Sequence, residues 1–337
     1  MLNPLLGIDL GTTNILVYMK GKGIIFDEPS VVAKNTKKNK LIALGHEAIS
    51  MEGRTPINIE TSRPLKDGVI SEYKTTKQLL SFLINKFCGR SFFNLKPILI
   101  IAVPSKITQV ERRAVKNCAL ECGVREIHII EEPWAAAIGS GMSISEPGGN
   151  MVVDIGGGTT DIAVLSLNGI VISDSIRIGG NTFNNLIKNY TKKNYNLLIG
   201  DPEAERIKIE IGTAYLSGED AEMDVKGRDL VEGNPHTIKM KASETVAVFD
   251  DALQKICMKI KEILEHTPPD LCGDIIDRGI LLTGGSSQLK GLDKLITEST
   301  KVPVHCSDDP LHCVVKGCGK ALDMLDKIKN EYIQVIN

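Results

Sequence analysis

Neither sign of charge prevails in this chain: 40 lysines and arginines stand against 42 aspartates and glutamates over 337 residues, a formal net charge of -2. A dedicated nucleic-acid binder needs a concentrated basic surface to neutralise phosphates, so nucleic acid is excluded as the main partner and at most a small basic patch remains. Long apolar runs are missing too. Ile98 to Val103 is among the longest and reads as a buried strand, well short of the ~20 residues that span a bilayer as a helix. Met1-Leu2-Asn3-Pro4 has neither the charged nor the apolar segment of a secretory signal, so the expected location is cytoplasmic. The eight cysteines are then expected to stay reduced. No Cys-x-x-Cys knuckle accompanies His305-Cys306, His312-Cys313 and Cys318, so packing rather than metal binding is expected of them. Finally, no G-x-x-x-x-G-K-[ST] occurs and Gly317-Cys318-Gly319 lacks the third glycine of a dinucleotide fingerprint, which removes the two commonest phosphate motifs.

What is present points to α/β layers. The length allows roughly two domains of ~150 residues, each able to bury a core. Strand and helix patterns alternate without a low-complexity segment or a Pro/Gly-rich linker. Thr108-x-x-Glu111 is a capping box ahead of a helix stopped by Gly123, and Thr75-x-x-Gln78 is expected to open the helix before it. Val246, Phe249, Leu253, Ile256, Ile260 and Ile263 mark a long amphipathic helix ending at Pro268-Pro269.

The informative feature is an echo about 145 positions apart. Leu5 to Ile15 and Val152 to Ile162 each run as an apolar strand ending in Asp, a Gly/Thr turn and a second apolar strand, so each predicts a β-hairpin. Glycines at such tips let the backbone approach an oxygen-rich ligand, and consecutive N–H groups can cradle an anion. Asp9 and Asp154 place one carboxylate beside each tip, which suits a Mg²⁺ that keeps several waters. Two such halves would grip a nucleotide tail from both sides.

Two further stretches stand out. Ile129-Ile130-Glu131-Glu132-Pro133 leads into the small-residue helix Ala135 to Gly139. Glu132 at that strand-to-helix junction either orients a water or simply complements the helix N-terminus. Ile280 to Ser287 is a strand running into a glycine turn, where bare backbone could pack on a flat base or serve only as a turn.

Together these stretches resemble the actin, sugar-kinase and heat-shock-chaperone ATPase superfamily, and within it the MreB family of bacterial actins. The resemblance runs over almost the whole chain and includes Gly21 to Ile24, Glu28 to Val32, Arg63 to Ile70, Glu111 to Ala114, Tyr195 to Gly200 and Ile207 to Gly212. It implies an actin-like (ribonuclease H-like) α/β fold of two similar lobes around a nucleotide cleft. Domain I would comprise 1–145 plus 313–337 with a small insertion at 33–63; domain II would comprise 146–312 with an insertion at 182–242. ATP or ADP with Mg²⁺ is the implied cofactor. Gly11, Thr12, Thr13, Asn14, Gly156, Gly157, Gly158 and Thr159 would bind phosphates, and Asp9 and Asp154 would hold hydrated Mg²⁺. Glu132 with Thr159 would position the attacking water. Glu205 and Lys208 would face ribose and adenine, and Gly284, Gly285 and Ser286 form the adenosine turn.

The implied activity is slow ATP hydrolysis coupled to assembly into membrane-associated filaments, built from paired protofilaments, that control cell shape. Implied partners are other copies of the chain, the inner face of the cell membrane and membrane-anchored morphogenesis proteins. Phe92, Phe93 and Leu95 match the loop that inserts into lipid. Lys34, Lys37, Lys38 and Lys40 read as a solvated basic run, with anionic lipid as a secondary contact. The helical pattern from Leu322 to Ile333 is expected to pack on its own lobe. Three positions depart from the family pattern: Asp161 replaces a usual Glu, Ser286 a third glycine and Asn181 an Asp. A small-molecule kinase and a chaperone-type ATPase are the rival readings, each on the same fold.

Overall fold

The computed structural model describes residues 3–89, 96–216 and 218–325. The chain opens with β1 (Leu5–Leu10), β2 (Asn14–Met19) and β3 (Gly23–Pro29), an antiparallel meander. A small excursion follows: β4 (Val32–Asn35), β5 (Lys40–Leu44), α1 (His46–Met51) and β6 (Ile59–Ser62) form a three-stranded sheet with its own apolar cluster around Val31, Ala33, Ala43 and Ala48. Lys37, Lys38 and Lys40 are exposed at its β4–β5 turn. The two-residue strands β7 (Leu65–Lys66) and β8 (Val69–Ile70) lead into α2 (Tyr73–Cys88). Then β9 (Ile98–Val103), α3 (Gln109–Leu120), β10 (Glu126–Glu131) and α4 (Glu132–Ser140) complete the first half, with β9 parallel to both β1 and β10.

The second half repeats this plan. β11 (Asn150–Ile155), β12 (Thr160–Ser166) and β13 (Gly169–Ile176) form another antiparallel meander, followed by α5 (Gly180–Tyr195), β14 (Leu197–Leu198), α6 (Asp201–Glu210), β15 (Glu222–Asp229) and β16 (Pro235–Lys241). Strands β14 to β16 make a separate three-stranded sheet. After α7 (Ala242–His266) and α8 (Pro269–Arg278), β17 (Ile280–Thr283) returns parallel to β11, and beyond α9 (Leu292–Thr300) β18 (Val304–Cys306) adds in parallel. The two large sheets therefore share one strand order, β3-β2-β1-β9-β10 and β13-β12-β11-β17-β18. The sequence echo is a repeated topology, which puts both Gly/Thr tips at equivalent places.

The last described helix, α10 (Cys313–Asp323), crosses back to pack on α4, β1 and β9. Small residues make this contact possible: a Cβ at Gly139 would lie 1.8 Å from the Cys313 carbonyl, and one at Gly317 would lie 1.9 Å from that of Ala135. Gly317-Cys318-Gly319 thus serves helix packing, with Gly7 and the Tyr18 ring as the facing surfaces. The α4–α10 pair fills a core between the sheets, against Ile100 and Ala102 of one and Val152, Ala163 and Leu165 of the other.

Local signals were read with one exception. Thr108 and Glu111 form the predicted capping box of α3, and α7 covers the predicted amphipathic run. However, α2 starts at Tyr73 with Glu72 as its cap, earlier than Thr75-x-x-Gln78 implied. The Thr75 and Thr76 hydroxyls donate back to Glu72 (2.8 Å to its carboxylate, 2.9 Å to its carbonyl), so they lie inside the first turn instead of capping it. Phe92, Phe93 and Leu95, and the predicted helical continuation toward Ile333, lie outside the described residues. Among the described residues no helix is long and apolar enough to cross a membrane.

Candidate functional site

Between the two large sheets lies a cavity of about 510 Å³. The β1–β2 tip supplies Asp9, Gly11, Thr12, Thr13 and Asn14; the β11–β12 tip supplies Asp154, Gly156, Gly157, Gly158 and Thr159. Glu132, the first residue of α4, faces the same space, as do Glu205 and Lys208 of α6 and the turn Gly284, Gly285 and Ser286. The cavity-lining set therefore contains every cleft residue that the sequence singled out. It also contains residues that pattern alone passed over: Gly68, Gly180, Phe183, Ile209, Leu289 and Leu311 among them. Gly68 and Ile209 lie in stretches that carry the family resemblance, whereas Phe183, Leu289 and Leu311 carry no sequence signal that separates them from core.

The two tips are pressed together. A Cβ on Gly157 would stand 1.7 Å from Thr13 Oγ1, and one on Gly158 would stand 2.6 Å from Thr12 Oγ1 and 2.8 Å from Asp67 Cα. Thr12 Oγ1 accepts a 2.7 Å hydrogen bond from the Gly68 N–H, which ties a third loop to the tip. Gly284 needs its glycine twice over, with φ 83° and Asp154 Oδ1 only 2.4 Å from where a Cβ would sit. Ser286 is more than a glycine substitute: its hydroxyl donates to the Gly156 carbonyl at 2.8 Å and fastens the turn to the second tip. Asn181 contributes through its backbone, its N–H donating to the Gly157 carbonyl at 2.8 Å.

Charge defines the floor. Burial pushes the Asp9 carboxyl up to about 7, with Asp27 adding to the effect. Burial, then Asp161 and Asp9, hold Asp154 well above the usual carboxylate range, and burial with Asp161, Asp9 and Asp154 does the same for Glu132. Asp161 is raised to about 6 by burial, against hydrogen bonds to Thr159, Ser105 and Ser175 that favour its ionised form. Asp161 does not line the cavity; its carboxylate turns toward Ser105. Both lysines that line the cavity are engaged elsewhere, Lys208 with Glu205 at 2.7 Å and Lys290 with the Glu210 carbonyl. Glu205 is held from a second side by Asn184 at 2.6 Å.

The carboxylate floor fits a divalent cation. Asp154 Oδ1 is buried with no hydrogen-bond partner among the described residues, a costly arrangement unless something electropositive meets it. No three His, Cys, Asp or Glu groups among the described residues converge closely enough to ligate a metal directly. That finding also covers His305, Cys306, His312, Cys313 and Cys318. His312 instead bridges Asp309 and Asp27, at 2.7 and 3.0 Å.

The sequence profile of the MreB/Mbl protein family matches residues 3–330. The chain is 48% identical to the cell shape-determining protein Mbl of Bacillus cereus over 323 residues, 96% of this chain and 97% of that one. It is 48% identical to the cell shape-determining protein MreB of Escherichia coli over 325 residues, 95% and 94% of the two chains. The crystal structure of MreB5 of Spiroplasma citri bound to ADP superposes with a TM-score of 0.91 at 37% identity, covering 98% of this chain and 99% of that one. MreB5 bound to AMPPNP gives a TM-score of 0.91 at 38% identity, covering 97% and 98%.

Proposed function

The chain belongs to the MreB/Mbl family and has its actin-like fold, and from that premise we propose that it is an ATP-binding filament protein that hydrolyses its nucleotide slowly. The observation that carries this reading is the pair of Gly/Thr tips closing on one cavity whose floor holds the buried Asp154 with the half-buried Asp9 and Glu132. Family membership favours it over the small-molecule kinase and chaperone readings. The ADP and AMPPNP bound to MreB5 support a nucleoside phosphate as the ligand here.

In this account Gly11 to Asn14 and Gly156 to Thr159 direct backbone N–H and hydroxyl donors at the phosphates. The glycines are what let the two tips approach within a side chain's width of each other. Glu205, fixed by Asn184 and Lys208, faces the ribose and adenine, with the Gly284–Ser286 turn against the adenosine. Asp9 and Asp154 would hold Mg²⁺ through its waters, and the ion would supply positive charge opposite the phosphates. Glu132 and Thr159 orient the attacking water, and hydrolysis needs no covalent intermediate. Lys208 pairs with Glu205 and Lys290 with the Glu210 carbonyl, so neither of these two lysines of the cavity lining is free to meet the departing phosphoryl group, which supports slow turnover.

The repeated sheets support two lobes, 1–145 with 313–337 and 146–312, carrying insertions at 33–63 and 182–242. Nucleotide bridging both lobes would favour a closed arrangement compatible with a filament, and hydrolysis would loosen it. Phe92, Phe93 and Leu95 would attach the filament to the inner face of the cell membrane, where membrane-anchored morphogenesis proteins would meet it. Burying one Phe contributes only ~1.5–3 kcal/mol, so a single subunit binds lipid weakly and a polymer multiplies the contact. The test of the site is Glu132→Ala: phosphate release should fall by about 10²-fold or more while nucleotide still binds. Release at the wild-type rate would refute the assignment.

A further inference from the structure

Behind the cavity, a buried polar link joins the two large sheets. Ser105 follows β9 and Pro104 and precedes Lys106, whose φ of 60° turns the chain toward α3. The Ser105 N–H donates to Asp161 Oδ1 at 2.7 Å, and its hydroxyl donates to Glu131 Oε2 at 2.6 Å. The Ser173 hydroxyl reaches the same Glu131 oxygen at 3.3 Å. Ser105 and Glu131 stand at the ends of β9 and β10 in the first sheet, while Asp161 and Ser173 sit on β12 and β13 of the second. Ser105 and Asp161 are both buried, so the charge-assisted bond between them is little screened by water.

Each end of the link adjoins one member of the water-positioning pair. Glu131 is the N-cap of α4 and immediately precedes Glu132. Asp161 lies two residues beyond Thr159, at the start of β12. The same turn is packed as well as bonded: a Cβ on Gly68 would lie 2.2 Å from Pro104 Cγ and 3.4 Å from Thr159 Cγ2, so Pro104 and Thr159 flank one point.

We propose that Asp161, Ser105 and Glu131 form an inter-lobe brace that sets the position of Glu132 relative to Thr159, making Asp161 a positioning residue for the attacking water. The proposal rests on the ATPase reading above. A misplacement of about 1 Å in such a pair costs about 10²-fold in rate, whereas nucleotide held by the two tips is little affected.

The experiment measures phosphate release at saturating Mg²⁺·ATP, at polymer content matched by sedimentation, together with nucleotide affinity by fluorescence titration. Asp161→Ala should lower kcat by about tenfold or more with affinity within about threefold. Asp161→Asn keeps an oxygen for the Ser105 N–H and loses only the charge, so it should stay within about threefold of wild type. Ser105→Ala, a small change that leaves the N–H bond and the fold in place, should fall between them. Equal losses in Asp161→Ala and Asp161→Asn would assign the effect to charge and overturn the brace, as would a loss of affinity with kcat unchanged. Glu132→Ala separates the two levels. If Glu132→Ala is inactive and Asp161→Ala is not, the brace alone fails; if Glu132→Ala turns over normally, the catalytic reading fails and takes the brace with it.

Discussion

At Gly157 the site is decided by one missing methyl group. With Thr13 Oγ1 1.7 Å and Thr13 Cβ 2.8 Å from the place a Cβ would occupy, an alanine forces the two tips apart, because rotating the hydroxyl away still leaves the Cβ, fixed to the backbone, too close. Overpacking of this kind costs about 1–3 kcal/mol, and here the strain falls on the gap that would hold the phosphates. Gly157→Ala should therefore weaken ATP binding by about tenfold or more, each tenfold being about 1.4 kcal/mol, while circular dichroism shows the fold intact. Wild-type affinity in that variant would mean that the tips do not have to meet. The two tips on this cavity were legible in sequence because their chemistry is local: a strand ending in Asp, then Gly and Thr, announces itself within about ten residues, whereas Glu205 and Lys208 came only from the family resemblance. The partners of Asp161 were not legible. Ser105 lies 56 positions away in sequence, and nothing in the pattern around either residue points to the other.

Among the elements, the segment between β18 and α10 carries the clearest electrostatic signature. His312 caps α10 and joins Asp309 on its own segment to Asp27 on β3. Desolvation works against its charged form, but hydrogen bonds and charge from Asp27 and Asp309 prevail and raise its pKa above the ordinary 6.5. A histidine whose folded pKa is raised binds its proton more tightly when folded. Its contribution is thus fully present below 6.5 and fades as pH rises through the folded value. His312→Gln should lower stability by about 1–2 kcal/mol at pH 5.5 and by less at pH 8.5, measured by urea unfolding at both. An equal loss at both would remove the charged pair from the account. The small residues of α4 show the limits of reading elements one at a time. Ala135 to Gly139 looked like a small-residue helix and Gly317-Cys318-Gly319 like an incomplete nucleotide motif. Only their contact, with carbonyls under 2 Å from where Cβ atoms would lie, explains both. The start of α2 was misread for a related reason: threonine hydroxyls can bond back into a first turn as readily as they cap it.

The whole molecule follows from duplication. One strand order used twice sets two Asp-Gly-Thr tips across a cleft, and α10 returns to the first sheet, so the halves share a core and are not consecutive beads. A ligand that touches both tips is then a natural sensor of lobe closure, which is how a nucleotide would govern assembly. In the proposed reading, many weak contacts repeated along a polymer would give the avidity that a single subunit lacks at a membrane. The most direct test is electron microscopy of the full chain on lipid vesicles of bacterial composition, with ATP and Mg²⁺ or with ATP and a chelator. Filaments lying on the vesicles with Mg²⁺·ATP, and few or none under chelation, are the predicted result. Dispersed particles under both conditions, with ATP demonstrably bound, would contradict it.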